Sequence, residues 1–92
     1  MTLIVSHKIE NMSIVTSSQI RGAKSMLRWS GEELASRAGV SLSTIRRLEA
    51  ADGVPEGQSL KTLLAITKAL EDAGIEFIGS SDDAPGLRLR KP

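Results

Sequence analysis

Two adjacent arginines, Arg46 and Arg47, are the residues whose types and spacing are best suited to chemistry with a ligand. They lie on a predicted helix that also carries Leu42 and Ser43. A guanidinium group can donate two hydrogen bonds to guanine O6 and N7, and it also binds phosphate. A hydroxyl group or an apolar group suits other base edges, including the thymine methyl group. This set of side chains is therefore suited to contact with nucleic acid.

The helix that carries the two arginines is the second of two short helical patterns. The first pattern begins at Ser30, where Glu33 three residues later completes the sequence of a capping box. It ends at Gly39, because glycine adopts the left-handed conformation that often terminates a helix. Ser41 then caps the second helix, which is predicted to run to about Ala51. Helix, tight glycine turn and helix is the arrangement of a helix-turn-helix unit.

This arrangement also predicts which side chains face inward. Ala35 is small where the second helix crosses, Val40 fills the turn, and Ile45 packs back against the first helix. The outward residues are then the candidates for base contacts: Leu42, Ser43, Arg46 and Arg47. In a helix-turn-helix unit these residues enter the DNA major groove. Arg47 is the better candidate for a base, whereas Arg46 is equally suited to a phosphate.

Two further helices and a hairpin are predicted around this unit. An earlier helix is capped by residues 17–18, and a later one begins at Ser59 and ends by Gly74. Their predicted inward positions are Ile20, Ala23, Met26 and Leu27 in the earlier helix, and Leu60, Leu63, Leu64, Ile66 and Leu70 in the later one. After Gly74 the pattern alternates, which predicts strands over residues 75–78 and 87–90 around a turn over 79–86. Glu76 should then face Arg88 and Arg90 across the strands.

Composition limits the classes of function. The 92 residues suffice for one small domain, and Trp29 and Phe77 are the only aromatic residues, so the core must be aliphatic. The absence of cysteine and the single histidine, His7, exclude disulfides and the usual zinc sites. The sequence has no glycine-rich phosphate loop and no nucleophile beside a base. We therefore expect no enzymatic activity, no cofactor and no metal.

The distribution of charge indicates a candidate binding surface, and hydropathy indicates the cellular location. The formal net charge is only +1, but residues 17–51 carry six basic and three acidic side chains, whereas every charge in 69–83 is acidic. Such asymmetry favours a basic surface that binds a ligand.

The apolar run at residues 3–5 is too short for a signal peptide or a membrane span. We expect a cytoplasmic protein that does not associate with membranes.

Residues 19 to 73 resemble the lambda-repressor-like, Cro/XRE-type helix-turn-helix family. The stretches that carry the resemblance are QIRGAKSMLRWSGEELASRAGVSLSTIRRLE and GVPEGQSLKTLLAITKALEDAGIEFI. It implies a mainly α fold of four to five helices with a short C-terminal β-hairpin. The expected division is an N-terminal arm or short strand over 1–15, the DNA-binding domain over 16–74, and a hairpin over 75–92 as a possible dimerisation element.

The resemblance also implies a function. Members of the family are transcriptional regulators, so we expect a sequence-specific homodimer on a double-stranded DNA operator, more often repressing than activating. Lys24 stands where the family usually has an arginine that pairs with the glutamate at Glu49. Gly31 stands where glutamine is common. The candidates for phosphate contacts are Ser30, Gly31 and Ser41 near helix N-termini, together with Thr44 and Lys61, for which packing and ordinary surface exposure are the alternatives.

A protein-interaction module is the alternative function. An antitoxin or anti-repressor could keep this fold with weakened DNA binding and bind a toxin or another regulatory protein. Gly31 and the acidic residues Asp52 and Glu56 after the second helix of the unit favour this alternative. The adjacent arginines, Arg46 and Arg47, favour DNA.

Overall fold

The structure, a computed structural model, describes residues 15–51, 57, 59–80 and 83–90. Within these ranges four helices precede a two-stranded antiparallel sheet, so the predicted mainly α fold with a C-terminal hairpin is confirmed. The elements are α1 (Ser17–Leu27), α2 (Gly31–Ala38), α3 (Leu42–Ala50), α4 (Leu60–Asp72), β1 (Ile75–Ser80) and β2 (Asp83–Leu89). The predicted arm lies outside the described residues except for Val15, as do Asp52 and Glu56. No helix in the described part is long and apolar enough to cross a bilayer.

Every helix begins at a hydroxyl side chain that accepts a hydrogen bond from the backbone N–H three residues later. The four N-caps are Thr16, Ser30, Ser41 and Ser59. The prediction that residues 17–18 cap α1 is wrong, because Thr16 and Gln19 form a complete capping box there. At Ser30 only half of the predicted box is present. The Glu33 carboxylate instead accepts a hydrogen bond from Arg37 Nε at 2.6 Å.

The core is aliphatic, as predicted, and all four helices contribute to it. Its buried members are Val15, Ile20, Ala23, Leu34, Ala35, Ile45, Leu48, Ile66, Leu70 and Ile75. Two residues predicted to face inward do not: Met26 is 42% exposed and Leu60 is 54% exposed. Both lie near a helix end, where helical spacing alone does not guarantee a neighbour. Thr67 is buried instead, and its hydroxyl donates to the Leu63 carbonyl at 2.8 Å, which satisfies the polar group.

The two faces of the hairpin carry the predicted side chains. Ile75 pairs with Leu89 and Phe77 with Leu87, and these four side chains pack against the core. On the other face, Glu76 accepts hydrogen bonds from Arg88 Nη1 at 3.3 Å and Arg90 Nε at 3.1 Å.

The strands of the hairpin are longer than predicted. The sequence predicts a turn over residues 79–86, but pairing continues to Ser80 and Asp83. An irregularity between Ile78 and Ser80 makes this possible, with Gly79 at a φ of 75°. A side chain at Gly79 would collide with the Ala84 carbonyl, so this position requires glycine.

Helix α1 contacts both the hairpin and α3, and so connects the two. The buried Gln19 amide nitrogen donates to the carbonyls of Gly86 at 3.0 Å and Ile78 at 3.4 Å. Helix α1 and strand β2 also approach closely at Gly22, where a Cβ would lie 2.8 Å from Leu87 Cδ1. The hairpin therefore helps to hold the helix against which α3 packs.

Candidate nucleic-acid interface

Three residues, Gly39, Val40 and Ser41, join α2 to α3. Gly39 has φ 71° and ψ 33°, and its N–H is directed at the last carbonyls of α2. A Cβ there would meet nothing within 4 Å, so the backbone conformation and not a lack of space requires glycine. The Val40 N–H then bonds the Ala35 carbonyl at 3.0 Å, and the Ser41 hydroxyl caps α3. The tight connection predicted from the sequence is present.

Helix α3 has a buried side and an exposed side. Ile45 and Leu48 are each 1% exposed and fix the helix in the core. Ser43, Arg46 and Arg47 are exposed, as predicted. Neither arginine of α3 forms an ion pair within the described residues. Two guanidinium groups on a rigidly held helix are thus available to a ligand that carries acceptors.

Leu42 is predicted to point outward, but its side chain is only partly exposed. A Cβ built on Gly31 would lie 3.2 Å from Leu42 Cδ1 and 3.8 Å from Ile45 Cγ2. The leucine side chain therefore covers Gly31, at the start of α2, and occupies space that a larger residue would need. Sequence reasoning missed this contact because it joins residues on two different helices.

A surface cleft of about 450 Å³ collects some of the candidate residues. It is lined by Lys24, Ser30, Gly31, Glu32, Leu42, Ile45, Arg46 and Glu49. Two of these side chains are basic and two are acidic, so the cleft itself is electrostatically balanced. Arg46 therefore lies on the cleft side of α3, beside the N-terminus of α2, whereas Arg47 does not line the cleft.

The remaining candidates lie outside this cleft. The hydroxyl oxygens of Ser41 and Thr44 are 2.8 Å apart within the cap of α3, and Ser43 Oγ lies 3.1 Å from Ser41 Oγ. These three hydroxyl groups surround the N-terminus of α3. Lys61 is exposed in the first turn of α4. It is therefore separated along the chain and on a different helix from the other candidates.

Helix α1 holds the C-terminal end of α3. Lys24 Nζ lies 2.8 Å from Glu49 Oε1, so the predicted pair is confirmed, and the two side chains are only 20% and 17% exposed. Arg21 adds a contact that sequence reasoning missed, since its Nη1 donates to the Glu49 carbonyl oxygen and its Nη2 to Ser18 Oγ. Cations near a helix C-terminus are favourable because the last carbonyls carry partial negative charge. The spacing of Arg21 and Lys24, one helical turn apart, was the available signal.

The Glu49 carboxylate is incompletely satisfied. Its Oε2 atom is buried and has no hydrogen-bond partner, whereas Oε1 binds Lys24. A lysine ammonium group is a compact point charge, while an arginine in the same place would present a two-pronged donor. The single ammonium group of Lys24 thus binds one of the two carboxylate oxygens and leaves the other without a partner.

The sequence was compared with protein-family models and with curated proteins. No protein-family model and no curated protein matches this chain. In the described part of the chain, no group of three or more histidine, aspartate or glutamate side chains is placed to hold a metal ion. The exposed side of α3 and the cleft beside it are the features on which a functional proposal can rest.

Proposed function

We propose that this protein binds double-stranded DNA in a sequence-specific manner and regulates transcription, with α2 and α3 acting as a helix-turn-helix unit. The observation that supports this most strongly is the exposed pair Arg46 and Arg47 on a helix whose other side is buried. Because Ile45 and Leu48 anchor the helix, the backbone that carries both arginines is held at a defined surface. Rigid presentation lowers the entropic cost of binding.

The positions of the two arginines suggest different roles. Arg46 lines the cleft beside Ser30 and Gly31, where the backbone N–H groups at the start of α2 favour a phosphate. Arg47 lies away from the cleft and is proposed to donate to guanine O6 and N7. Leu42 and Ser43 then complete the base-contacting surface, while Ser41 and Thr44 lie close enough to the same end of α3 for backbone contacts.

We further propose that the protein acts as a homodimer on a pseudo-palindromic operator and represses by blocking polymerase. A single α3 offers few base contacts, so two half-sites would be needed for useful specificity. The described sheet has only two strands, so each strand has an edge without a partner strand in the described part. Such edges pair readily with another chain, which makes the hairpin the proposed dimerisation element.

The test is selection of duplexes from a random library, followed by fluorescence anisotropy on the selected sequence. The variant Arg46→Ala/Arg47→Ala should bind at least about 30-fold more weakly, because base and phosphate contacts are lost together. Lys68→Glu is the matched control, since it changes the net charge equally on α4, outside the proposed interface. If both variants lost affinity for DNA equally, the loss would be explained by the change of net charge and not by the two arginines. If the unmodified protein retards no duplex even at low salt, the proposal is wrong and a protein partner replaces DNA.

A further inference from the structure

We infer that Leu42 recognises the methyl group of a thymine in each half-site and that Gly31 is the residue that makes this possible. This inference rests on the proposed function, because it assigns a specific base group to one residue of the same interface. The pair Gly31 and Leu42 would then be a specificity determinant formed between α2 and α3.

The first step is the fixed orientation of the leucine. A Cβ built on Gly31 would lie 3.2 Å from Leu42 Cδ1 and 3.8 Å from Ile45 Cγ2, so the leucine side chain fills the space above the glycine. Ile45 is 1% exposed, so this support is part of the core. One side of the Leu42 side chain is therefore held by protein before any ligand binds, and little rotamer freedom remains to be lost.

The second step is the chemistry of the exposed side. Leu42 is only partly buried, and its remaining surface borders the cleft that Arg46 also lines. Residues four apart on a helix are neighbours, so an apolar group and a guanidinium group lie side by side at the end of α3. A leucine can gain from DNA only by covering an apolar group. The thymine C5 methyl group is the apolar feature of the major-groove base edges.

The third step is the dependence on glycine. Gly31 is the first residue of α2 and lies in the helix, so its backbone does not require glycine. A side chain there would compete with Leu42 Cδ1 for the same space. The lack of a side chain at this position thus leaves the leucine the space that it occupies.

Replacement of thymine by deoxyuridine tests the inference, since it removes the methyl group and keeps every hydrogen-bonding group. Each thymine of the selected operator is replaced in turn, and the ratio of the two dissociation constants is measured. Burial of one methyl group predicts a ratio of about three to five per half-site at one thymine position. In Leu42→Ala the ratio at that position should fall to about one, as expected for a lost methyl contact.

Two further variants separate the role of Gly31 from general damage. Gly31→Ala should lower the ratio modestly while Leu42 is still present, because Cδ1 must shift by a few tenths of an ångström to make room for the new methyl group. Leu60→Ala, which removes the exposed leucine of α4, should leave the ratio unchanged. Since each ratio compares two duplexes with the same protein sample, partial unfolding of a variant cancels.

Three results would overturn the inference. They are a selected half-site without thymine, a ratio of one at every thymine with the unmodified protein, and an unchanged ratio in Leu42→Ala. In each case the protein still binds duplex DNA, so the proposed function survives. Failure to bind any duplex would instead overturn both, and the two failures are thus distinguishable.

Discussion

Helices α3 and α4 begin with nearly the same residues, SLSTI at 41–45 and SLKTL at 59–63. Their caps are correspondingly alike. In each, the serine hydroxyl accepts the backbone N–H of the threonine at 3.1 Å. The serine and threonine hydroxyl oxygens are 2.8 Å apart in α3 and 2.9 Å apart in α4. Nearly the same local sequence thus produces nearly the same cap in two places.

The leucine that follows the cap behaves differently in the two helices. Leu42 covers Gly31 and is partly buried, whereas Leu60 is 54% exposed. The two helices also end differently. Glu49 of α3 pairs with Lys24 of α1 in a half-buried position, while Asp72 of α4 pairs with Lys68 one turn earlier, where the side chains are 66% and 74% exposed. Helix α3 is thus held at both ends by other helices.

The largest expected effect is on DNA affinity and concerns two arginines of α3 that have no counterpart in α4. At the same distance from the cap, α3 has Arg46 and Arg47 where α4 has Leu64 and Ala65. Arg47→Ala should cost about 1–3 kcal/mol on the selected operator and relax preference at one base pair per half-site. Arg46→Ala should weaken binding to all sequences alike and lower the salt slope by about one per protomer. Exchanged phenotypes in titrations at several salt concentrations would mean that α3 is rotated in the groove relative to the proposal.

The next effect compares the two ion pairs. Lys24→Met should lower the free energy of unfolding by about 1–2 kcal/mol, because it leaves the half-buried Glu49 carboxylate without its partner. Lys68→Met should cost less than about 0.5 kcal/mol, since the pair is solvated. Denaturant unfolding monitored through Trp29 fluorescence measures both. Equal losses would show that the connection between α1 and α3 contributes no more than a surface pair.

The same ion pair allows a gain of stability. Lys24→Arg should raise the free energy of unfolding by about 0.5–1 kcal/mol, because the guanidinium group can also donate to the unsatisfied Glu49 Oε2 atom. Glu49→Gln combined with Lys24→Arg is the control, since the amide has only one acceptor oxygen and cannot pair with both prongs of the guanidinium group. A gain that persists in the double variant would assign the effect to packing of the arginine.

The caps of α3 and α4 should contribute equally to stability but unequally to DNA affinity. Ser41→Ala and Ser59→Ala should each lower the free energy of unfolding by about 1 kcal/mol, because each leaves one helix N–H without its acceptor. DNA affinity, measured where both variants are fully folded, should fall only for Ser41→Ala. A similar loss of affinity in Ser59→Ala would bring the start of α4, and with it Lys61, into the proposed interface.

The last comparison concerns the two leucines. Leu60→Ala should change the free energy of unfolding by less than about 0.5 kcal/mol, as is usual for an exposed position. Leu42→Ala should cost about 1 kcal/mol, because a side chain that is partly buried loses only part of its burial energy. A larger cost for Leu60→Ala in the same unfolding assay would show that its side chain is covered in solution.

The predictions from sequence succeeded at three of the four described helix caps, where the physical cause is local. A serine cap needs a hydroxyl group and an N–H three residues away, and the end of α2 needs a residue that accepts a positive φ, as Gly39 does. The hairpin register follows from alternation, since Ile75 and Phe77 must share a face with Leu87 and Leu89. The choice of Arg46 and Arg47 as exposed candidates followed from the burial of Ile45 one position earlier.

The tertiary structure alone decided which side chains find neighbours. The residues that begin the two helices, 41–45 and 59–63, are nearly the same, and the proximity of Gly31 on another helix makes Leu42 partly buried while Leu60 stays exposed. The contact between Arg21 and the Glu49 carbonyl likewise joins residues 28 positions apart. Backbone hydrogen bonds and caps depend on a few neighbouring residues, whereas burial depends on which elements pack together. The sequence by itself therefore determined the helices and their order, while packing determined what α3 presents at its surface.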